Sequence, residues 1–263
     1  MRELPDDVLT LQAAGRGRFA DVRVFAEVDS TNTVALAEAG AGGPDGTVIV
    51  ADHQSAGRGR LGRTWDAEAG SALLASVLLR PELDPARLHL LTLVAGVEMA
   101  AAVGSVCGAA VGVKWPNDLR LDGRKLGGIL AEARSDAPGA LVVGVGVNVR
   151  RGSLPPEVAP MAVSLEEAGH RVERAALLEA FLAGLGRRLV AIEHPGDGVE
   201  KFLADYASVC ETLGTDVRVR LHTTRQVVVE GEAVGVGPDG SLMVRVAGGS
   251  EVSVGHGEVE QLR

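Results

Sequence analysis

The stretch VGVKWPNDLRLDGRKLGGILAEA, residues 111–133, predicts a series of short β-strands joined by tight turns. Asp122-Gly123 is typical of a hairpin turn, because both residue types tolerate the positive φ that such a turn requires. Hairpins rather than crossover helices therefore connect neighbouring strands, which favours an α+β fold with a mostly antiparallel sheet. The strands expected in and after this stretch are 111–115, 119–121, 128–134 and 141–149.

On the N-terminal side of this stretch, strands alternate with helices that the sequence marks by their caps. Asp29, Ser30 and Thr31 offer N-cap side chains for a first helix. Asp84-Pro85 opens a second helix, with Asp as the cap and Pro in the first turn. The elements expected here are strands at 22–26, 47–51 and 71–79, helices ending near Ala39 and Val106, and a polar loop over 53–70.

The C-terminal part of the chain divides into a helical segment and a small β-rich unit. Ser164 and Glu167 have capping-box spacing, which predicts a short helix, and the apolar stripe over 174–192 predicts a longer one. From about residue 215 the apolar residues alternate along short strands, which is typical of a small β-barrel. We therefore expect two domains, 1–214 and 215–263.

The overall composition is that of a soluble globular enzyme. The 263 residues are 46% hydrophobic and 23% charged, and the net charge of −9 does not favour nucleic acid as a partner. Cys107 and Cys210 match no zinc-site spacing, so free thiols in a reducing cytoplasm are expected. Residues 1–7 lack a signal-peptide pattern. The apolar segment 99–113 is expected to be a buried helix leading into a strand rather than a membrane span.

Basic residues are concentrated in two short segments of this acidic chain. The loop GRGRLGR, residues 57–63, places three guanidiniums among glycines, and guanidiniums bind phosphate or carboxylate through paired donors. The 26 basic residues comprise 23 arginines and three lysines, and two of the lysines, Lys114 and Lys125, lie in the opening stretch. Together the segments predict a site for a nucleotide and an acid.

Three other interpretations of the glycine-arginine loop carry less weight. Gly57, Gly59 and Gly62 match the G-x-G-x-x-G pattern of dinucleotide-binding folds, but no helix is expected after them. RNA-binding Gly-Arg segments are repeated and interleaved with aromatic residues, whereas this chain has one such run and 3% aromatic residues. A solvated surface loop stays open if the loop is considered alone.

Taken together, these segments resemble the biotin protein ligases over nearly the whole chain. The pairing of GRGR-x-GR at 57–63 with KWPND at 114–118, some fifty residues later, is highly specific for that family. Fewer than about 22 residues precede the first expected strand, so the resemblance is to the monofunctional ligases without an N-terminal DNA-binding domain. Further matching segments are Ser30-Thr31-Asn32, Gln54, 125–130, 144–148 and the C-terminal barrel.

The resemblance implies a fold and a reaction. The implied fold is a catalytic domain similar to class II synthetases, with helices packed against a mixed, mostly antiparallel sheet, followed by an SH3-like barrel. The implied reaction activates biotin with Mg-ATP to biotinyl-adenylate and then transfers biotin to a lysine of a biotin carboxyl carrier protein or domain of acetyl-CoA or related carboxylases. ATP and Mg²⁺ are required, whereas no tightly bound prosthetic group is expected.

The resemblance also assigns roles to individual residues. Lys125, Arg60 and Lys114 are the expected catalytic cations, and Asp118 is the candidate Mg²⁺ ligand. For Trp65, stacking on adenine and packing in the interior both stay open. The residues expected to bind biotin are Ser30, Thr31, Asn32, Gln54, Gly57, Arg58, Gly59, Arg60, Lys125, Gly128, Ile129 and Gly144. The residues expected to bind ATP or the adenylate are Arg58, Arg60, Arg63, Trp65, Lys114, Asn117, Lys125 and Asn148.

Leu61 departs from the family pattern, because many members carry a charged residue at this position of the loop. The chemistry is expected to be kept, while a monomer and a weak homodimer both stay open.

Two other functions are weighed against the main one. A lipoate or octanoate ligase or transferase has a related fold, but the arginine loop argues against it. A non-catalytic biotin sensor is disfavoured because both motif lysines are present.

Overall fold

The computed structural model describes residues 17–151, 160–221 and 227–262, together with residues 10, 12, 14, 15, 154 and 158. The expectation about a signal peptide concerns residues 1–7, which lie outside the described residues. The strands and helices are β1 (Val22–Val28), α1 (Thr31–Gly40), β2 (Val48–Gln54), β3 (Ala72–Leu79), α2 (Leu90–Cys107), β4 (Gly112–Lys114), β5 (Asp118–Leu121), β6 (Arg124–Ala133), β7 (Leu141–Asn148), α3 (Arg174–Glu193), α4 (Gly198–Val209), β8 (Asp216–Leu221), β9 (Val227–Val236), β10 (Leu242–Val246), β11 (Glu251–Val254) and β12 (Glu258–Gln261).

Seven strands form one mixed sheet in the order β1-β2-β3-β7-β6-β5-β4. In this sheet, β1 and β2 run parallel, and the other neighbouring pairs that the structure describes are antiparallel. The stretch quoted at the outset forms β4, β5 and β6 as consecutive hairpins. Asp122 and Gly123, with φ of 50° and 73°, make the turn between β5 and β6. The expected α+β fold with a mostly antiparallel sheet is confirmed.

The sheet is covered on both faces, because successive side chains of a strand point to opposite sides. On β2, Val48 and Val50 belong to the main core, whereas Ile49 belongs to a second cluster together with Ala35 and Ala39 of α1. The helices α2, α3 and α4 pack on one another on the side of the main core. Packing on both faces thus holds the sheet in place.

The helix α2 meets the length and composition criteria for a membrane span, yet 67% of its apolar window is buried inside the protein. It ends at Gly108, which adopts the left-handed conformation that favours glycine (φ 75°), and β4 begins soon after at Gly112. The expected buried helix leading into a strand is confirmed.

Several expectations about local structure were wrong. Asp84 accepts a hydrogen bond from the Ala86 N–H at 2.9 Å, but this cap supports a single 3₁₀ turn, and the helix begins at Leu90. Residues 84–87 are exposed, so a longer helix there would bury no apolar face. Ser164 and Glu167 form the reciprocal bonds of a capping box, but the segment is a turn, because the left-handed Gly169 (φ 92°) follows so soon. The sequence interpretation missed α4 and β12.

The C-terminal strands form a five-stranded sheet in the order β11-β10-β9-β8-β12. This β-rich unit is consistent with the expected SH3-like barrel. Its first strand, β8, begins at Asp216, close to the domain boundary expected between residues 214 and 215, and that boundary remains a prediction. The barrel contacts the rest of the protein through the motif tryptophan, since the buried Trp115 donates from Nε1 to the Gly240 carbonyl oxygen at 3.0 Å. The barrel is therefore anchored directly behind the KWPND segment.

A buried ion pair joins the first residue of α3 to the sheet. Arg174 is 1% exposed and donates to Asp52 of β2 at 2.9 Å and to the Ala72 carbonyl oxygen of β3 at 3.3 Å. A charge this deeply buried is tolerated only because its partner is buried beside it. Asp52 lies two residues before Gln54, so the pair also fixes the end of the strand that enters the arginine loop.

We predict that Arg174→Met lowers the free energy of unfolding by roughly 3–5 kcal/mol, because it leaves the Asp52 carboxylate buried without its cation. Urea denaturation followed by circular dichroism measures this change. Arg187→Met is the matched control, since Arg187 lies on the exposed face of the same helix, and a change within about 0.5 kcal/mol is expected for it. Equal effects of the two substitutions would contradict the structural role of the pair.

Candidate active site

A cavity of about 570 Å³ lies between the arginine loop, the centre of the large sheet and the C-terminal barrel. Residues from all the motifs that the sequence singled out line its wall, including Ser30-Thr31-Asn32, Arg60, Lys114 and Lys125. Barrel residues Gly257, Glu258 and Val259 complete the wall. Segments that are far apart in the chain thus converge on one space of a size suited to a small-molecule ligand.

One end of the cavity holds a continuous network of neutral polar groups. The Gln54 side-chain oxygen accepts hydrogen bonds from the Thr31 N–H at 2.8 Å and from the Thr31 hydroxyl at 3.1 Å. The Ser76 hydroxyl lies 2.7 Å from the Thr31 hydroxyl and donates to Asn32 Oδ1 at 2.6 Å. Ser30 occupies the N-cap position of α1, but its side chain makes no capping bond, contrary to expectation. Such a network offers both donors and acceptors to an uncharged polar ligand group.

Glycines on β7 make room for the side chains that line this end. A Cβ atom at Gly144 would lie 2.1 Å from Asn32 Oδ1, and a Cβ atom at Gly146 would lie 2.8 Å from the Trp65 ring. Gly128 on β6 also faces the indole ring, though at an ordinary contact distance of 3.7 Å. The Trp65 ring therefore lies close to two strands at the cavity wall, where it is placed both to pack on the sheet and to contact a ligand.

The arginine loop is a compact turn closed by its own backbone. The Gly59 N–H donates to the Arg63 carbonyl oxygen at 2.7 Å, and the Trp65 N–H donates to the Gly57 carbonyl oxygen at 2.9 Å. Gly57 is required there, since a Cβ atom would lie 2.2 Å from the Trp65 carbonyl oxygen. At the tip, Leu61 adopts a left-handed conformation (φ 58°) and is 50% exposed. The loop thus presents its arginines from a defined backbone.

Each arginine of the loop contacts an oxygen atom of the protein. Arg58 pairs with Glu132 of β6 at 2.8 Å. Arg60 donates to Asn117 Oδ1 at 3.0 Å and to the Gly257 carbonyl oxygen at 3.4 Å, and Arg63 pairs with Glu258 of the barrel. The guanidiniums are therefore held at the cavity by contacts that a phosphate or carboxylate can replace.

The two motif lysines occupy different electrostatic environments. Lys125 Nζ pairs with Asp118 at 2.6 Å. Lys114 has its pKa lowered by burial, an effect only partly offset by the nearby Asp118 carboxylate. Burial also lowers the pKa of Arg60. Cations that have lost part of their hydration gain more from an incoming anion than exposed ones, so this end of the cavity is suited to phosphate.

Two asparagines at the wall are oriented by backbone carbonyls. Asn117 Nδ2 donates to the Ile129 carbonyl oxygen at 3.0 Å, which leaves Oδ1 for Arg60. Asn148 is 2% exposed and donates to the Val163 carbonyl oxygen at 3.3 Å. Because their amides are fixed on one side, both present a defined polar group to a ligand.

Asp118 and Glu258 are carboxylates that lie among the cations of the cavity wall. Within the described part of the chain, no group of three or more His, Cys, Asp or Glu side chains could hold a metal ion. Mg²⁺ is commonly bound by one or two carboxylates together with substrate phosphates and water, so Asp118 fits a magnesium that arrives with a nucleotide.

The structure brings together nearly all the residues that the sequence selected. The exception is Gly57, which lines a shallow depression on the other side of the loop rather than the cavity. Sequence reasoning missed Ser76, Glu132, Gly146 and the barrel residues. A serine within the apolar run ALLASVLL of β3 was a usable signal, whereas nothing in the sequence places 257–259 near the arginine loop.

Comparison with known proteins agrees with this geometry. The model of the biotin/lipoate A/B protein ligase family matches residues 24–148. The biotin–[acetyl-CoA-carboxylase] ligase of Mycobacterium tuberculosis is 37% identical over 268 residues, which cover 100% of this chain and 95% of that protein. The enzyme of the same name from Paracoccus denitrificans is 31% identical over 238 residues, covering 87% of this chain and 96% of the relative.

A solved structure is similar as well. The biotin protein ligase from Aquifex aeolicus in complex with biotin and ATP superposes with a TM-score of 0.80 at 28% identity, covering 93% of this chain and 100% of that one. With relatives above 30% identity along most of the sequence, the chain belongs to the biotin protein ligase family.

Proposed function

We propose that this protein is an ATP-dependent, AMP-forming biotin ligase, which activates biotin as biotinyl-5′-adenylate and transfers it to a lysine of a carrier protein. One observation supports this most strongly. The cations Arg60, Lys114 and Lys125 gather around Asp118 on one part of the cavity wall, whereas another part carries a neutral hydrogen-bonding network. That division fits a ligand with a neutral ring at one end and an acid at the other.

The neutral end is assigned to the ureido ring of biotin. This ring has one carbonyl acceptor and two N–H donors, so it needs donors and acceptors close together. The Ser30 hydroxyl, which makes no capping bond, offers a donor, and Asn32 Oδ1 offers an acceptor. Gly144 leaves space beside them, since any larger residue would collide with Asn32.

The cationic end is assigned to adenylate formation. A biotin carboxylate oxygen bonds to the α-phosphorus as the bond to the bridging oxygen breaks, and pyrophosphate leaves. Lys125 is expected to bridge the carboxylate and the α-phosphate, which lowers their mutual repulsion and neutralises charge that develops in the transition state. Arg58 and Arg60 are expected to hold the acid and the adenylate, and Lys114 the pyrophosphate. Mg²⁺ bound with the nucleotide would supply further charge neutralisation, with Asp118 as its protein ligand.

The second half-reaction needs no nucleophile from this chain. The neutral ε-amine of the carrier lysine attacks the carbonyl carbon of the mixed anhydride, the bond to the phosphate oxygen breaks, and AMP leaves. The partner is a biotin carboxyl carrier protein or domain, as the names of the relatives from Mycobacterium and Paracoccus, which refer to acetyl-CoA carboxylase, suggest. We place the reaction in the cytoplasm, without nucleic acid or membrane as a partner, and leave open a monomer or a weak homodimer.

Acid-dependent exchange of labelled pyrophosphate into ATP tests this function directly. The purified protein should catalyse exchange with biotin and not with lipoate or octanoate, because the neutral network matches a ureido ring and not an alkyl chain. Exchange with lipoate or octanoate in place of biotin would instead support a lipoate or octanoate ligase. Tight biotin binding without any exchange would support a non-catalytic sensor.

We predict that Lys125→Ala lowers the rate of adenylate formation by two to three orders of magnitude, because a cation in a water-poor site contributes roughly 3–4 kcal/mol at the transition state. Lys201→Ala is the matched control, since Lys201 is the third lysine of the chain and lies exposed on α4. Single-turnover kinetics with unchanged circular dichroism spectra measure the effect. A Lys125→Ala rate within about threefold of wild type would contradict the assignment.

We also predict that ligands protect the arginine loop from trypsin. Arg58 and Arg63 are exposed, and the ion pairs that hold them are partly exposed and weak, so cleavage in the loop should be rapid without ligand. Biotin with Mg-ATP should slow that cleavage strongly, because bound adenylate favours the closed loop. Octanoate with Mg-ATP is the control and should protect much less, because no adenylate forms. Equal cleavage rates in all three conditions would show that the loop does not close over the ligand.

A further inference from the structure

We propose that Glu132 is a positioning residue that links the two ends of the site. Its carboxylate orients the Asn32 amide toward the ureido ring and holds Arg58 of the loop until a ligand anion replaces it. This inference rests on the proposed function, which supplies the ligand. It concerns a residue that the sequence motifs did not select and that lies on β6 beyond the cavity wall.

The geometry at Glu132 is that of one oxygen atom shared by two functional side chains. Glu132 Oε2 accepts from Asn32 Nδ2 at 2.7 Å and from Arg58 Nη2 at 2.8 Å. The other carboxylates at the cavity are arranged differently, since Asp118 pairs with Lys125 and Glu258 pairs with Arg63. Among the described residues, the Glu132 carboxylate thus bridges the neutral network and the cationic loop.

The carboxylate determines which way the Asn32 amide faces. Asn32 Nδ2 donates one hydrogen to Glu132 and the other to the Leu130 carbonyl oxygen at 3.1 Å. Asn32 Oδ1 is thereby fixed on the opposite side, where it accepts from Ser76 and keeps a second lone pair. A reversed amide would place Oδ1 against the negatively charged carboxylate, which is unfavourable. A ureido N–H requires an acceptor, so the orientation that Glu132 selects is the one that biotin binding needs.

The same carboxylate competes with the ligand for Arg58. When the biotin carboxylate or the adenylate phosphate reaches the loop, Arg58 exchanges one anionic partner for another, so it leaves Glu132 without being left unpaired. Glu132 Oε2 then serves Asn32 alone, and its hydrogen bond to the amide is strengthened because no cation shares the charge. Anion capture at the loop and ureido binding at the sheet therefore favour each other.

If the ion pair between Arg58 and Glu132 served only to stabilise the fold, removing it would lower the melting temperature without a specific effect on biotin binding. The side chains of Arg58 and Glu132 are 41% and 27% exposed, and partly exposed ion pairs contribute little to stability. In Glu132→Gln an amide oxygen can still accept from Asn32, so the melting temperature should stay nearly unchanged while biotin binding is altered. Stability and substrate affinity thus separate the two roles.

The experiment uses the full chain with Glu132→Gln, Glu132→Ala and the control Glu230→Gln. Glu230 pairs with Arg218 on the barrel surface at 2.5 Å, so its substitution removes a comparable surface pair away from the cavity. We expect the KM for biotin in pyrophosphate exchange to rise about tenfold in Glu132→Ala and less in Glu132→Gln, because an amide can still accept from Asn32 but without the charge. The KM for ATP should stay within about twofold, and the control should match wild type.

Combining substitutions of Glu132 and Asn32 tests more directly whether Glu132 acts on biotin binding through the Asn32 amide. In an Asn32→Ala background, Glu132→Gln should not raise the KM for biotin further, because there is no amide left to orient. Trypsin should cleave the ligand-free loop faster in both Glu132 variants than in wild type.

Three results would overturn the inference: an unchanged KM for biotin in Glu132→Ala, an equal rise in the KM values for biotin and ATP, or additive effects with Asn32→Ala. Each of them is compatible with the proposed function as long as the wild-type protein catalyses biotin-dependent exchange. A wild-type protein without biotin-dependent exchange would overturn both.

Discussion

The close approach of side chains to the backbone of β7 is the constraint on which the site depends. Asn32 and the Trp65 ring occupy the space in which Cβ atoms of residues 144 and 146 would lie, so both positions require glycine. Residue 144 faces the polar network and residue 146 lies under the indole. Without these two glycines the sheet surface would be filled by its own side chains, as it is elsewhere in the core. The cavity is thus created by the sheet itself.

Charge at the cavity is arranged so that the ligand-free protein tolerates it. The chain carries a net charge of −9, yet it gathers its loop arginines and two of its three lysines around one space. Glu132, Asp118 and Glu258 pair with Arg58, Lys125 and Arg63. These contacts keep the cations near the positions where a substrate would meet them, so little reorganisation is needed when an anion binds. Burial lowers the pKa values of Lys114 and Arg60, so both cations gain from an incoming phosphate.

Much of the fold and of the site could be predicted from the sequence, because local signals and tertiary packing agreed. The hairpin residues Asp122-Gly123 and the spacing of the motifs led to the correct sheet and to most of the cavity wall. The helix expected from Asp84 failed because a cap fixes one turn, whereas continuation needs an apolar face to bury. Glu132 was missed because a strand glutamate is normally a solvated residue, and only the folded sheet brings it within reach of both Asn32 and Arg58. Glu258 was missed because its position at the cavity depends on how the barrel packs, which no local sequence pattern predicts.

A crystal structure with a non-hydrolysable biotinyl-adenylate analogue tests the central claim of this account most directly. The account predicts that the ureido ring lies against Thr31 and Asn32, with its N–H group toward Asn32 Oδ1. The phosphate is predicted to contact Lys125 and the loop arginines, with Arg58 turned from Glu132 toward the ligand. A ligand bound in the reverse orientation, or outside the cavity, would contradict the division of the site into a neutral and a cationic end.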